Sequence, residues 1–299
     1  MNRLLSLCLG LWSLTGMVWA QVEFKLTVPQ EQFLPGERIE AVARFSNFTG
    51  RPLTLGKDPG WLQFQVEDRS GRVISKISEV EDSGSFDLKP LERGILRFNL
   101  TPHFQLDQPG RFRVVAMARL SAGEEVTSSS ATFELVRGNR VAEQSFGFNG
   151  PDGAERRKFI LHQVNYLKEV TLYVRCTDEL EATTYNITRL GTTVSFTRPQ
   201  ESLDAEGRWH VLHQFGRTTY HHHIFGPDGV IQTRHTYVIN DRRPTLRVNE
   251  AGKIAVIGGE RRPSADDIPA STAALVVEPA PFIPDDTLRT NAPGAAIKR

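Results

Sequence analysis

The chain has 299 residues, 39% of them hydrophobic and 24% charged, with a formal net charge of +1. This is an ordinary globular composition, and 299 residues are enough for two domains. So small a net charge excludes a broad electrostatic field for nucleic acid or anionic membrane.

The first element is a segment for export. Arg3 supplies a positive start, residues 4–12 an apolar run, and Val18-Trp19-Ala20 a small-residue end before Gln21. Residues 1–20 therefore read as a signal peptide, and the expected location is periplasmic or extracellular. Cys8 leaves with it, so Cys176 is alone and no intramolecular disulfide is expected. No later apolar run approaches the roughly 18 residues that span a bilayer, so no transmembrane segment is expected after cleavage.

Residues 21–137 form the first expected unit. Strand-length runs fall at 24–28, 39–45, 61–66, 72–77, 95–100, 111–120 and 132–136, several with period-two alternation. Turn residues separate them: Pro35-Gly36-Glu37, Asp68-Arg69-Ser70-Gly71 and Gln108-Pro109-Gly110. Seven short strands at this spacing predict a β-sandwich. Residues 138–157, punctuated by Gly138, Gly147 and Gly150-Pro151-Asp152-Gly153, read as a linker.

The second expected unit spans 158–260, with runs at 159–164, 169–176, 185–190, 193–197, 209–214, 219–225, 230–238, 245–248 and 253–257. Three similar turns recur in it, Asp204-Ala205-Glu206-Gly207, Gly226-Pro227-Asp228-Gly229 and Asn249-Glu250-Ala251-Gly252, each followed by an alternating run. A final glycine in each suits a hairpin. Three hairpins are too few to close a propeller, which leaves a sandwich or hairpin meander. The whole chain is thus expected to be all-β. Residues 261–299, with Pro263, Pro269, Pro279, Pro281, Pro284 and Pro293, read as a flexible Pro/Ala-rich tail.

Part of the first unit is similar to a known group. Phe33-Leu34-Pro35-Gly36-Glu37, then Phe45-Ser46-Asn47, Pro52-Leu53-Thr54-Leu55 and Leu106-Asp107-Gln108-Pro109-Gly110, resemble bacterial immunoglobulin-like domains of the macroglobulin or proteinase-inhibitor type. The resemblance implies a sandwich fold and a bacterial source, but no particular binding site. In such a source the sequons at Asn47, Asn99 and Asn186 are incidental.

Chemistry-bearing motifs are few. There is no Gly-x-Ser-x-Gly elbow, no phosphate-binding glycine loop and no His-Glu-x-x-His pair. No catalytic residue is assigned, and Cys176 on a strand reads as a small buried residue. The unusual feature is six histidines between 210 and 235. A hairpin with a four-residue loop, Phe215 to Thr218, places His210 opposite His223 and Leu212 opposite His221. His210, His221 and His223 then share a face, with His213 and His222 on the other. Three imidazoles suit zinc or another transition metal. The competing reading is packing without metal, since no carboxylate is evident to orient the rings.

These features lead to one expectation and one alternative. The first is an exported, non-enzymatic binding or structural protein of the cell envelope, without a cofactor, that meets a protein or polysaccharide partner through sandwich surfaces. The alternative is a metal-dependent or carbohydrate-binding protein using the histidine face.

Overall fold

The computed structural model describes residues 22–80, 84–120, 123–151, 153–167, 169–265 and 267–268. The expected signal peptide lies outside these residues, as does the expected tail beyond 268. No described helix is long and apolar enough to cross a membrane. The fold is all-β, and its sheets are antiparallel apart from one short parallel pair.

The first ten strands are β1 (Val22–Thr27), β2 (Gln32–Phe33), β3 (Glu40–Asn47), β4 (Leu53–Leu55), β5 (Leu62–Asp68), β6 (Phe86–Leu88), β7 (Arg93–Asn99), β8 (Gly110–Arg119), β9 (Glu125–Thr127) and β10 (Ala131–Leu135). One main sheet has the order β1-β3-β7, and the other β2-β10-β8-β5 with β9 on β8, while β4 and β6 form a separate two-stranded pair. Period-two alternation selects the inward residues. Phe24, Leu26, Ala41, Ala43, Phe45, Leu96 and Phe98 come from the first sheet. Phe64, Val66, Phe112, Val114, Ala116, Phe133 and Leu135 come from the second. They form one core, in which Phe64 and Phe98 meet at 5.1 Å between ring centres and Phe45 and Trp61 at 5.6 Å. The run at 72–77 is not a strand. It makes only isolated bridges to Glu67 and Phe104, because Val73 and Ile77 point outward at 57% and 66% exposure.

The segment expected as a linker is instead the start of the second unit. β11 (Asn139–Gly150) forms a long hairpin with β12 (Gly153–Tyr166), turning at the glycine-rich stretch that suggested flexibility. Only Val136, Arg137 and Gly138 separate it from β10. A Cβ at Gly138 would lie 2.9 Å from that of His162 and 3.2 Å from Leu34, so close approach explains the glycine.

β13 (Glu169–Asp178) and β14 (Thr184–Thr193) complete the meander β11-β12-β13-β14. The facing sheet contains β15 (Gln200–Leu203), β16 (Trp209–Gln214), β17 (Thr219–Phe225) and β18 (Ile231–Val238). After the hairpin of β19 (Thr245–Val248) and β20 (Ile254–Ile257), β21 (Glu260–Arg261) adds to β18. Phe146, Phe159, Leu161, Leu172, Val174, Cys176 and Leu190 of one sheet pack on Trp209, Val211 and Phe225 of the other. The second unit is thus two meanders packed face to face. Its three expected hairpin turns are present, with Gly207, Gly229 and Gly252 at φ of +75°, +83° and +73°.

Order extends past the expected start of the tail. Thr236 donates its backbone N–H and hydroxyl to Asp267 at 2.9 and 2.7 Å, and Arg234 bridges to Ile268. Polar side chains and backbone pairing extend this edge where apolar patterning stops. The two units touch through Leu34, Val136, Val164, Tyr173 and Ile187, with Tyr166 donating to Glu31 at 2.9 Å.

Candidate functional site

β16 and β17 carry five histidines, and their register decides which of them meet. The pairs are His210 with Ile224, Val211 with His223, Leu212 with His222 and His213 with His221. This is one residue away from the expected pairing. The reason is the loop. Phe215 N–H donates to Thr219 C=O at 3.1 Å, so Phe215 extends the strand and three residues turn. The Gln214 amide secures that turn by donating to the carbonyls of Gly216 and Arg217, each at 2.9 Å.

The shift redistributes the rings. His210 does not join His221 and His223, because it lies on the other face of the sheet. His213 takes its place. His213, His221 and His223 face the inner side with Trp209, Val211 and Phe225. Each offers a ring nitrogen within 4.8 Å of the other two. Their exposures are 1%, 6% and 0%. His213 Nε2 and His223 Nε2 are 3.1 Å apart and share a hydrogen bond. Two ligands at 2.0–2.1 Å on a tetrahedral or trigonal centre are separated by about 3.3–3.5 Å, so two of the three donors are already near coordination distance. Phe215 stacks on His221 at 3.6 Å between ring centres and walls one side.

The electrostatics favour neutral rings. Burial pushes the pKa of His213 down to about 3 and that of His223 well below its ordinary value. Neighbouring histidines and Arg234, which lies opposite His223 in the register, add to the effect. Neutral imidazole is the form that ligates a metal. The Nδ1 atoms of His213 and His223 are buried without a hydrogen-bond partner among the described residues. Such atoms are uncommon in folded proteins and call for an explanation.

The outer face holds a different arrangement. His210 Nε2 lies 3.2 Å from Asp204 Oδ2, and His210 Nδ1 lies 3.0 Å from His222 Nε2. A carboxylate only accepts, so neutral His210 donates from Nε2 and accepts at Nδ1 from His222. His222 Nδ1 is left as a buried lone pair without a hydrogen-bond partner. Burial opposes ionisation of Asp204, yet its pKa is lowered by the Arg208 backbone N–H, the Arg208 guanidinium and His210. A carboxylate therefore does orient one histidine, but not one of the trio. It arrives from the turn before β16, a pairing that strand alternation alone does not reveal.

Cys176 sits in the core beneath Gly229, and burial pushes its thiol up to about 12. That leaves it without the thiolate character that reactivity needs. The first unit holds a separate polar cleft of about 890 Å³, lined in part by Asp68, Arg69, Arg72, Asp107 and Arg111.

No protein-family model matches this chain, and no curated protein matches it. Among solved structures, the sporulation control protein Spo0M from Bacillus subtilis aligns with 56% of this chain and 89% of its own. The identity is 10% and the TM-score 0.29, a likeness that carries no argument.

Proposed function

We propose that the chain is an exported, non-enzymatic binding protein whose second unit holds a transition metal at His213, His221 and His223. The observation behind this reading is the convergence of three buried imidazoles within 4.8 Å of one another. A bound cation would take the place of the 3.1 Å hydrogen bond between His213 Nε2 and His223 Nε2. It would sit on the inner face beside Trp209, Val211 and Phe225. Exposure of 6% or less closes the trio to a substrate, which supports retention of metal over catalysis. The test is metal analysis and titration of untagged mature protein. About one equivalent is expected for the wild type and none for His223→Phe; a wild type that takes up no metal overturns the reading.

A second reading is binding of a protein or polysaccharide partner at the cell envelope through the sandwiches. It is supported by β11, a twelve-residue strand at the edge of its sheet that, among the described residues, pairs only with β12 and is exposed over much of its length. Such an edge can accept an added strand. Capture of an envelope component that survives loss of the histidine trio but not a proline at Gln144 would support it. The immunoglobulin-like character of the first unit is part of the same proposal. Its support is the division of the leading segment, with β1 antiparallel to β3 in one sheet and β2 parallel to β10 in the other.

A further inference from the structure

We infer that the trio selects a monovalent soft cation, cuprous ion, over zinc or cupric ion. The inference rests on the metal-binding reading and names the metal that the site takes.

The argument is one of charge. Every group in the cluster is an imidazole, a ligand that brings no negative charge to a metal, and no carboxylate or thiolate belongs to it among the described residues. Three acidic groups near this sheet are committed elsewhere. Asp267 accepts from Thr236, which pairs with His221 in the register, and faces the Arg261 guanidinium at 3.6 Å. Glu201 accepts the Trp209 indole N–H at 3.2 Å, and Asp204 serves His210 and Arg208 on the opposite side. Zinc sites ordinarily compensate by letting each ligating histidine donate its second nitrogen to a carboxylate or carbonyl. Here the second nitrogens of His213 and His223 have no such partner. A dication would therefore keep its full charge in a layer bounded by Phe215, Val211 and Phe225, with the Arg234 guanidinium opposite His223. The cost of burying an ion rises with the square of its charge, so a dication costs about four times as much as a monocation of similar size. Repulsion from Arg234 doubles as well.

Coordination number points the same way. Zinc with three protein ligands completes its shell with water, and cupric ion prefers a tetragonal set. Cuprous ion is satisfied by two or three nitrogen donors. His213 Nε2 and His223 Nε2 at 3.1 Å, with His221 at right angles to His223 in ring plane, can supply a two- or three-coordinate set without solvent.

The experiment uses untagged mature protein under anaerobic conditions. Cuprous ion is supplied from its bicinchoninate complex, and zinc and cupric ions are supplied from chromophoric chelators in parallel. The inference expects one equivalent of cuprous ion, held at least roughly 100-fold more tightly than zinc or cupric ion. X-ray absorption should show two or three nitrogen neighbours and no fourth oxygen. Loss of the cuprous equivalent in His213→Phe, and its retention in His235→Ala on the other face, locates it. Because the selectivity is measured on the wild type, poor folding of a variant leaves the test intact. Zinc or cupric ion bound as tightly as cuprous ion, or a fourth light ligand, overturns the selectivity and leaves metal binding standing. Uptake of none of the three ions overturns both.

Discussion

Acid should unfold the second unit of the metal-free protein, and the histidines set both the window and the size of the effect. In the unfolded chain a histidine titrates near 6.5, whereas burial holds His213 and His222 at about 3 in the folded state. Above the unfolded value both states are neutral at these rings and nothing is lost. As pH falls below 6.5, the unfolded chain takes up protons that the native sheet refuses, so stability falls. The decline ends only near the folded values. Each group costs about 1.4 kcal/mol per pH unit once fully inside this window. At pH 5 that is about 2 kcal/mol per ring and about 4 kcal/mol for the pair, against a total stability of about 5–15 kcal/mol for a typical domain. His223, shifted in the same direction, adds to the loss. In the first unit Glu37 works the other way. Burial raises its pKa, so its native carboxyl binds a proton first and its contribution improves as pH falls toward its ordinary value.

Urea unfolding followed through Trp209, stacked on Phe159 at 5.2 Å, reads the second unit directly. The informative quantity is the slope of stability against pH between 7 and 5, because any fixed packing cost of a mutation drops out of it. His213→Phe and His222→Phe should each flatten that slope by about 1 kcal/mol per pH unit averaged over this range. A wild-type slope near zero, or slopes unchanged in both variants, would refute the claim that these rings are buried neutral.

Asp204→Asn should destabilise by about 2–4 kcal/mol, measured by the same urea assay, because an amide has one oxygen and cannot accept both from the Glu206 and Arg208 backbone N–H groups, now on Oδ1, and from the Arg208 and His210 side chains, now on Oδ2; a loss under about 0.5 kcal/mol would contradict the packing around β16. Gly229→Ala should cost about 3 kcal/mol, since a Cβ there falls 2.5 Å from that of Cys176 at φ +83°. Gly60→Ala, at φ +68° in open space, should cost only about 1–2 kcal/mol, and equal losses at the two sites would falsify the steric part of the argument. Cys176 should resist thiol reagents in the native protein and react on unfolding, so prompt labelling at neutral pH would show that the core over it opens.

Much of the fold was legible because alternation survives wherever one face of a strand is buried and the other wet. β8 shows this well: Phe112, Val114, Ala116 and Ala118 are buried between exposed Arg111, Arg113 and Met117. β16, β17 and β19 fall at their expected residues, and the three hairpin turns announced themselves through a final glycine. Very short strands were not legible. β2, β4 and β9 have two or three residues each, too few for any period, and exist because neighbouring strands offer them partners. The β11–β12 hairpin was hidden for a different reason. Its glycines and polar residues are what an exposed edge hairpin needs, and from sequence they look the same as a linker.

The histidine site was half legible, and the missing half follows from how register is specified. Hydrophobic patterning fixes register by sending one set of side chains inward, and a slip of one residue then exposes the wrong set. All six residues of β16 are buried, as are five of the seven in β17. With both faces covered, a slip exposes nothing, and the pattern no longer discriminates between pairings that differ by one. The decision passes to the turn. Gln214 bonds two loop carbonyls and Phe215 pairs with Thr219, and this three-residue closure brings His213 opposite His221. The residues that choose the members of the trio therefore lie at the loop and not among the histidines. Lengthening the turn by one residue, for example with a glycine after Arg217, would disturb the Gln214 amide bonds that hold it closed. If the trio is the metal site, that insertion should weaken metal uptake while leaving every histidine of the 210–235 cluster in place; uptake equal to the wild type would place the metal elsewhere.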